Sequence, residues 1–263
     1  MGKAIKTIKR KRQAQATLTS VLDNTEHCIL IHYSCESFYD RPDGSSPRIT
    51  SIAVRNFGSA QTTSFSIHQI AERNNVPVDD IPNKYDELEK SMLDEFYEYV
   101  RRHANHKWLH WNMRDINYGF PALAHRYQVL GGTPETIDES KLVDIARLLV
   151  AVYGPGYTGH PRMVTLINKN RISDRDLLSG EQEAEAFEAG DYVNLHRSTL
   201  RKVDIFANIL ERFGGGTLKT NTHWKDHLLL YPTAAGELVK EHWTFAVLAL
   251  LISIASLVIS LKM

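Results

Sequence analysis

Two carboxylates follow strand-like apolar runs and could do chemistry. In "CILIHYSCESF" the run leads into Glu36, and in "LHWNMRDINYGF" a shorter one leads to Asp115. Acids at strand ends are the groups that hold divalent cations. A two-ion site places its metals ~3.5–4 Å apart and needs several carboxylates to neutralise them and align an in-line attack. Glu36 and Asp115 are therefore candidate catalytic residues and ligands for Mg²⁺ or Mn²⁺, with Asp204 as a further candidate. Two acids are too few for both ions, so an active centre would need recruits such as Asp40, Asp144 or Asp204. Without Asp115, Glu36 reads as a solvent-facing acid at a strand end.

A second group of residues points to anions. "LHRSTLRKV" brings His196, Arg197, Arg201 and Lys202 together, a set able to hold a phosphate without cutting it. "HKWLHWNMRD" places Trp108 and Trp111 beside Lys107 and His110, and aromatics next to cations can stack bases. Strand alternation turns one of these Trp residues toward the core, so Trp111 is carried as the nucleic-acid contact. The twelve histidines are scattered. His-Glu-x-x-His, zinc-type Cys pairs, the Gly-x-Ser-x-Gly elbow and the phosphate-binding Gly-Lys-Ser/Thr loop are all missing.

The elements that must position these residues are legible in the periodicity. Strands are predicted over 28–33, 48–57 and, after the turn at Gly58 and Ser59, in "TTSFSIHQI". Over 86–101, Leu88, Met92, Phe96, Tyr99 and Val100 recur at helical spacing, with acids early and arginines late. "HKWLHWN" reads as a short strand. The segment after it carries Pro121, which fits a first helical turn, and stops at Gly131 and Gly132. Downstream, "ESKLVDIARLLVAVYG", "HPRMVTLINKN", "GEQEAEAFEAGDYVNLH" and "STLRKVDIFANILERF" all read as helices. Strands first, helices later and one strand between helices define an α/β or α+β chain.

This order, with a carboxylate just after the first strand, resembles the ribonuclease-H-like fold of the DEDD exonucleases over roughly 26–211. In that family the first strand ends in Asp-x-Glu; here "SCES" matches at Glu36 and departs at Ser34. The family's second element, an Asp after the fourth strand, resembles "LHWNMRDINYGF", with Asn112 and Asp115 as counterparts. The third, His followed five residues later by an acid, meets His196 but then Arg201, with Asp204 out of register. A cation at Arg201 would oppose metal binding. The resemblance implies an α/β, ribonuclease-H-like mixed sheet with flanking helices whose exonuclease motifs are degenerate. Three readings stay open: a non-cleaving module that binds nucleic acid or a nucleotide, an active metal-dependent exonuclease, and chance similarity with the domain serving protein interaction.

The ends of the chain carry other signals. Segment 243–261, "WTFAVLALLISIASLVISL", is nineteen residues without a charge, about enough to cross ~30 Å of hydrocarbon as a helix. It is predicted to be a single transmembrane helix that makes a lipid bilayer a partner through residues 243–261. The opening "KAIKTIKRKR" carries six cations, enough to attract anionic lipid or phosphate backbones. The expected organisation is a basic segment over 1–25, a soluble domain over 26–220, a linker over 221–242 and the anchor. The basic start lacks the apolar run of a secretory signal, and Cys28 and Cys35 form no paired framework, which favours a cytoplasmic location for the bulk domain. With 31 cationic and 31 anionic side chains, overall charge does not argue for nucleic acid. A sensor or effector role at a membrane follows from this arrangement.

Overall fold

The structure, a computed structural model, describes residues 2–36 and 46–222, together with scattered helical positions between 232 and 260. Asp40 lies outside the described residues, as does most of segment 243–261. Among the described residues no helix is long and apolar enough to cross a membrane.

The chain folds as α/β, with one mixed five-stranded sheet between two layers of helices. The strands are β1 (Cys28–Cys35), β2 (Ile49–Asn56), β3 (Thr62–Ser66), β4 (Lys107–His110) and β5 (Leu142–Asp144), in the spatial order β3-β2-β1-β4-β5. β1, β2 and β3 pair antiparallel, whereas β4 and β5 run parallel to β1. β1 is buried along its full length because helices cover both faces, which is why it reads as a nearly continuous apolar run. Its register against β2 shifts between Ser34 and Cys35, immediately before Glu36. Such a bulge bends the strand and re-aims the side chains beyond it.

Eight helices flank the sheet: α1 (Lys3–Leu22), α2 (Ile67–Arg73), α3 (Tyr85–Arg102), α4 (Phe120–Val129), α5 (Ile145–Tyr153), α6 (Arg162–Asn170), α7 (Gly180–Glu188) and α8 (Tyr192–Gly214), all among the described residues. Leu30, Ala53 and Leu109 face one layer, where they pack with Val21 of α1, Leu149 of α5, Leu166 of α6 and Phe206 of α8. Ile31, Ile52, Val54 and Trp108 face the other, against Ile70 of α2, Met92 and Phe96 of α3 and Leu123 of α4. The alternation of a strand thus sorts neighbouring residues into two cores.

Four elements differ from the sequence reading. The third strand stops at Ser66, and 67–70 opens α2, because Ile67, Ile70 and Ala71, three and four residues apart, share a face in a helix but not in a strand. The predicted helix over 139–154 begins as the short β5, which edges the sheet before Asp144 caps α5. The predicted helix over 180–196 breaks at Gly190, whose φ of 70° suits glycine, so α7 and α8 are separate. Finally, the basic opening segment is helical from Lys3 and joins the core through Ala14, Leu18 and Val21.

Candidate functional site

In sheets with parallel strands, ligands bind beyond the carboxyl ends of those strands, where neighbouring connections diverge. Here that edge is formed by the ends of β1, β4 and β5. Glu36 follows β1 and is partly exposed; its carboxylate accepts the Arg48 backbone N–H at 3.4 Å. Asp115 is exposed in the loop after β4, where one carboxylate oxygen accepts the N–H groups of Asn117 (3.0 Å) and Tyr118 (2.8 Å). That oxygen stabilises its own turn. The loop closes where Gly119 comes so near Met113 and Arg114 that a Cβ would lie 2.6 Å from backbone atoms, and Gly119 N–H donates to the Tyr33 hydroxyl at 2.8 Å. Glu36 and Asp115 therefore share one edge of the sheet.

Asp204 does not join them. It pairs with Arg55 at 3.0 Å, and Arg55 lies opposite Leu30, near the amino-terminal end of β1. At ~3.3 Å per residue this is about 20 Å along the strand from Glu36. Asp144 is at the carboxyl edge, buried at the end of β5, where it accepts the N–H of Arg147 (3.2 Å) and pairs with Arg114 at 2.6 Å. Its neighbour His110 accepts the Met113 N–H at Nδ1 (3.1 Å), so the ring proton sits on Nε2. Burial lowers the His110 pKa to about 4, although the Asp144 carboxylate works in the opposite direction. Among the described residues no group of three or more His, Cys, Asp or Glu side chains is set to hold a metal ion.

Between β1 and α8, just inside that edge, polar groups fill the interior. Ser34 and Ser51, opposite one another in β1 and β2, both hydrogen-bond Thr199 of α8, which itself donates to Leu195 O at 2.9 Å. All three hydroxyl residues are fully buried. One turn further along α8, Lys202 donates to Glu183 of α7 at 2.5 Å, and Ser198 donates to the same carboxylate oxygen at 2.9 Å. The Tyr118 hydroxyl donates to Tyr33 O at 3.2 Å and lies 3.0 Å from His32 Nδ1, which assigns the imidazole proton to Nδ1. Burial and the nearby Lys202 ammonium hold His32 well below its ordinary pKa, so it is neutral. Burial, then Tyr33 and other neighbours including Glu183, push the Tyr118 phenol well above its usual range. Among the described residues His32 Nε2 and Glu183 Oε2, both buried, find no hydrogen-bond partner. This region can orient polar groups, but neither histidine nor phenol is poised to exchange a proton near neutrality.

The residues expected to meet a phosphate are dispersed. His196 is buried, 3.2 Å from Ser64 Oγ and packed edge-on against His68. Lys202 is buried in its pair with Glu183. Arg201 folds back to donate to Ser173 O at 3.1 Å, whereas Arg197 is exposed. Trp111 is partly buried, stacked on Phe206 with ring centroids 5.9 Å apart. Sequence reasoning passed over Glu183, Thr199 and His32, whose partners lie on other elements; the only local signal was their polarity on apolar faces. No known protein family matches the chain, and comparisons with curated proteins and with solved structures likewise found no match.

Proposed function

We propose that this chain is a membrane-anchored, degenerate exonuclease-like module of ribonuclease-H-like fold, which binds nucleic acid or a nucleotide without cleaving it and acts as a sensor or effector. The observation that carries the reading is the hydroxyl cluster at the end of β1. An acid at position 34 and another on α8 would be needed to hold two cations beside Glu36. In their stead Ser34 and Thr199 hydrogen-bond each other, with the Lys202 ammonium one turn away. Hydroxyls locked together cannot neutralise a divalent ion, and the nearby Glu183 carboxylate is already neutralised by Lys202. The strand order β3-β2-β1-β4-β5, with β2 antiparallel between its neighbours, supports the fold assignment.

Binding is supported by Arg114 and Arg147, which are exposed next to the ends of β4 and β5 and offer guanidinium groups to a phosphate at the open edge. Anchoring is supported by Trp243, Val247, Leu250, Leu251, Ile252 and Ile254, large apolar side chains that are at least 41% exposed at helical positions. So much exposed apolar surface in one segment calls for lipid or a partner.

The test uses the full chain in detergent, with labelled single-stranded DNA and RNA and either Mg²⁺ or Mn²⁺, beside Glu36→Gln. Binding without cleavage, unchanged in Glu36→Gln, is expected. Metal-dependent cleavage lost in Glu36→Gln would overturn the non-cleaving reading and make Glu36 a working ligand. Absence of both binding and cleavage would leave the protein-interaction reading in its stead.

A further inference from the structure

The strongest charged feature outside the candidate site is the first half of α1. Over 3–12 it carries Lys3, Lys6, Lys9, Arg10, Lys11 and Arg12 and no acid, and five of these six are exposed. The two halves of the helix do different things. Ala14, Leu18 and Val21 insert into the core, but between Ala4 and Ala14 the helix buries no residue. Ala4 is buried and Ile5, Ile8 and Lys11 are half-buried, so one face of the basic half is covered while Lys3, Lys6, Lys9, Arg10 and Arg12 stay exposed. Lys3 and Lys6 in the first turn also oppose the helix dipole, whose positive end lies there. A helix of this kind persists when anions compensate it.

One anion is supplied by the chain itself. The Glu237 carboxylate accepts the N–H of Ala4 at 2.9 Å and of Ile5 at 3.1 Å, and those N–H groups hold its pKa down. Gly2 lies directly against the Glu237 carboxyl group. Glu237 precedes Trp243 by six residues, a length of chain that spans at most about 20 Å even when extended. The bond between residues 4 and 237 therefore brings the start of α1, remote in sequence, close to the start of the apolar segment.

We propose that the basic half of α1 is a membrane-surface contact that binds anionic lipid headgroups beside the anchor and fixes the orientation of the α/β domain against the bilayer. This rests on the anchor reading above and adds to it a lipid class and a binding element. Nucleic acid could also satisfy these cations, but the Glu237 tie places the start of α1 beside the apolar segment, where headgroups are. Each cation near an anionic surface contributes independently and is screened by salt, so the contact should be graded and ionic-strength dependent.

The experiment reconstitutes the full chain, carrying an environment-sensitive fluorophore at Thr7→Cys, into vesicles of phosphatidylcholine alone or with phosphatidylserine. Thr7 is exposed, and the native Cys28 and Cys35 are buried. Flotation reports anchoring; quenching by headgroup-labelled lipid reports the position of α1. The expected result is flotation with both vesicles, and quenching that appears with phosphatidylserine, fades with salt and falls by about tenfold in Lys6→Glu/Lys9→Glu/Arg10→Glu. Flotation with quenching indifferent to phosphatidylserine would overturn the inference and leave the anchor intact. Failure to float would overturn the anchor reading itself. A probe that responds to added single-stranded RNA and not to phosphatidylserine would assign α1 to nucleic acid and overturn the lipid contact.

Discussion

Two buried ion pairs sit on opposite sides of the sheet, and their surroundings differ. On the α3 side, Glu89 receives the guanidinium of Arg126 (3.0 Å from Nε) and the backbone N–H of Ile49 (2.6 Å), while Arg126 also reaches Asp86 at 2.6 Å. Both carboxylate oxygens of Glu89 are engaged. On the α8 side, Glu183 meets Lys202 and Ser198 through one oxygen and, among the described residues, buries the other unpaired. Beside this pair, His32 also keeps a ring nitrogen without a partner among those residues. A saturated pair ties α3 and α4 to the start of β2 and needs no further explanation than stability. An unsaturated polar group at the end of β1 holds polarity where an apolar core would have been cheaper. The contrast lies between the two pairs themselves, since Trp108 Nε1 on the α3 side is also buried without a hydrogen-bond partner among the described residues.

The largest expected effect breaks the saturated pair. Arg126→Met leaves Glu89 buried with only a backbone donor, and burial already raises the Glu89 pKa against the pull of Arg126. Loss of about 3–5 kcal/mol of stability is predicted, read as a shift in the urea midpoint of the full chain in detergent.

Next in size is an acid-linked loss of stability. Burial, with the neighbouring His68, lowers His196 to about 4, and burial lowers His110 to about 4. In the unfolded chain both would titrate near ~6.5. Above that pH the folded and unfolded rings are all neutral and contribute nothing to pH dependence. Below it the unfolded chain takes up protons that the folded one refuses, so stability falls from pH 6.5 toward 4 and levels off beneath. Each ring accounts for at most about 3 kcal/mol. Unfolding of His196→Gln followed across this window should show a shallower slope; an unchanged slope would remove His196 from the linkage.

A third prediction sharpens the comparison directly. Replacing a buried pair by apolar residues of similar volume is often neutral, provided nothing else loses its partner. Glu183→Leu/Lys202→Met should therefore change stability by no more than about 1 kcal/mol, since the Ser198 hydroxyl that loses Glu183 keeps the Leu178 N–H at 3.1 Å and can turn its proton to the carbonyl four residues back on its own helix. Glu89→Leu/Arg126→Met should cost about 1–3 kcal/mol because it strands the Ile49 N–H. Equal costs for the two double variants would show that the second pair is as structural as the first.

How much of this was legible in the sequence depended on the range of each interaction. The helix predicted over 86–101 matches α3 closely, because its buried residues recur at i, i+3 and i+4 over four turns and its charges complement the dipole. β5 was hidden because three residues of strand carry no period, and Asp144 then caps the helix that masked them. In α1 the apolar positions Ala14, Leu18 and Val21 do stand at helical spacing, but the six preceding cations dominate the composition. At the site, Glu36 and Asp115 could be picked out because each follows a strand. The Lys202–Glu183 pair joins two elements and the Ser34–Ser51–Thr199 cluster three, and no local pattern encodes such a meeting.

The smallest stability effect belongs to Arg197, and it carries the most functional information. Arg197 is exposed on α8 one residue after the buried His196, whereas Lys202, five residues on, is enclosed with Glu183. Arg197→Glu should alter stability by no more than about 0.5 kcal/mol, as for other exposed positions without a packing role. If single-stranded nucleic acid crosses this face of α8, the same change should weaken binding uniformly across sequences and lower the slope of log affinity against log salt by about one. Lys202→Gln should do the reverse, disturbing the fold while leaving the salt slope alone, since a cation already neutralised by Glu183 releases no counterion on binding. An unaltered salt slope in Arg197→Glu would move any phosphate contact to the carboxyl edge of the sheet, where Arg114 and Arg147 stand beside Asp144.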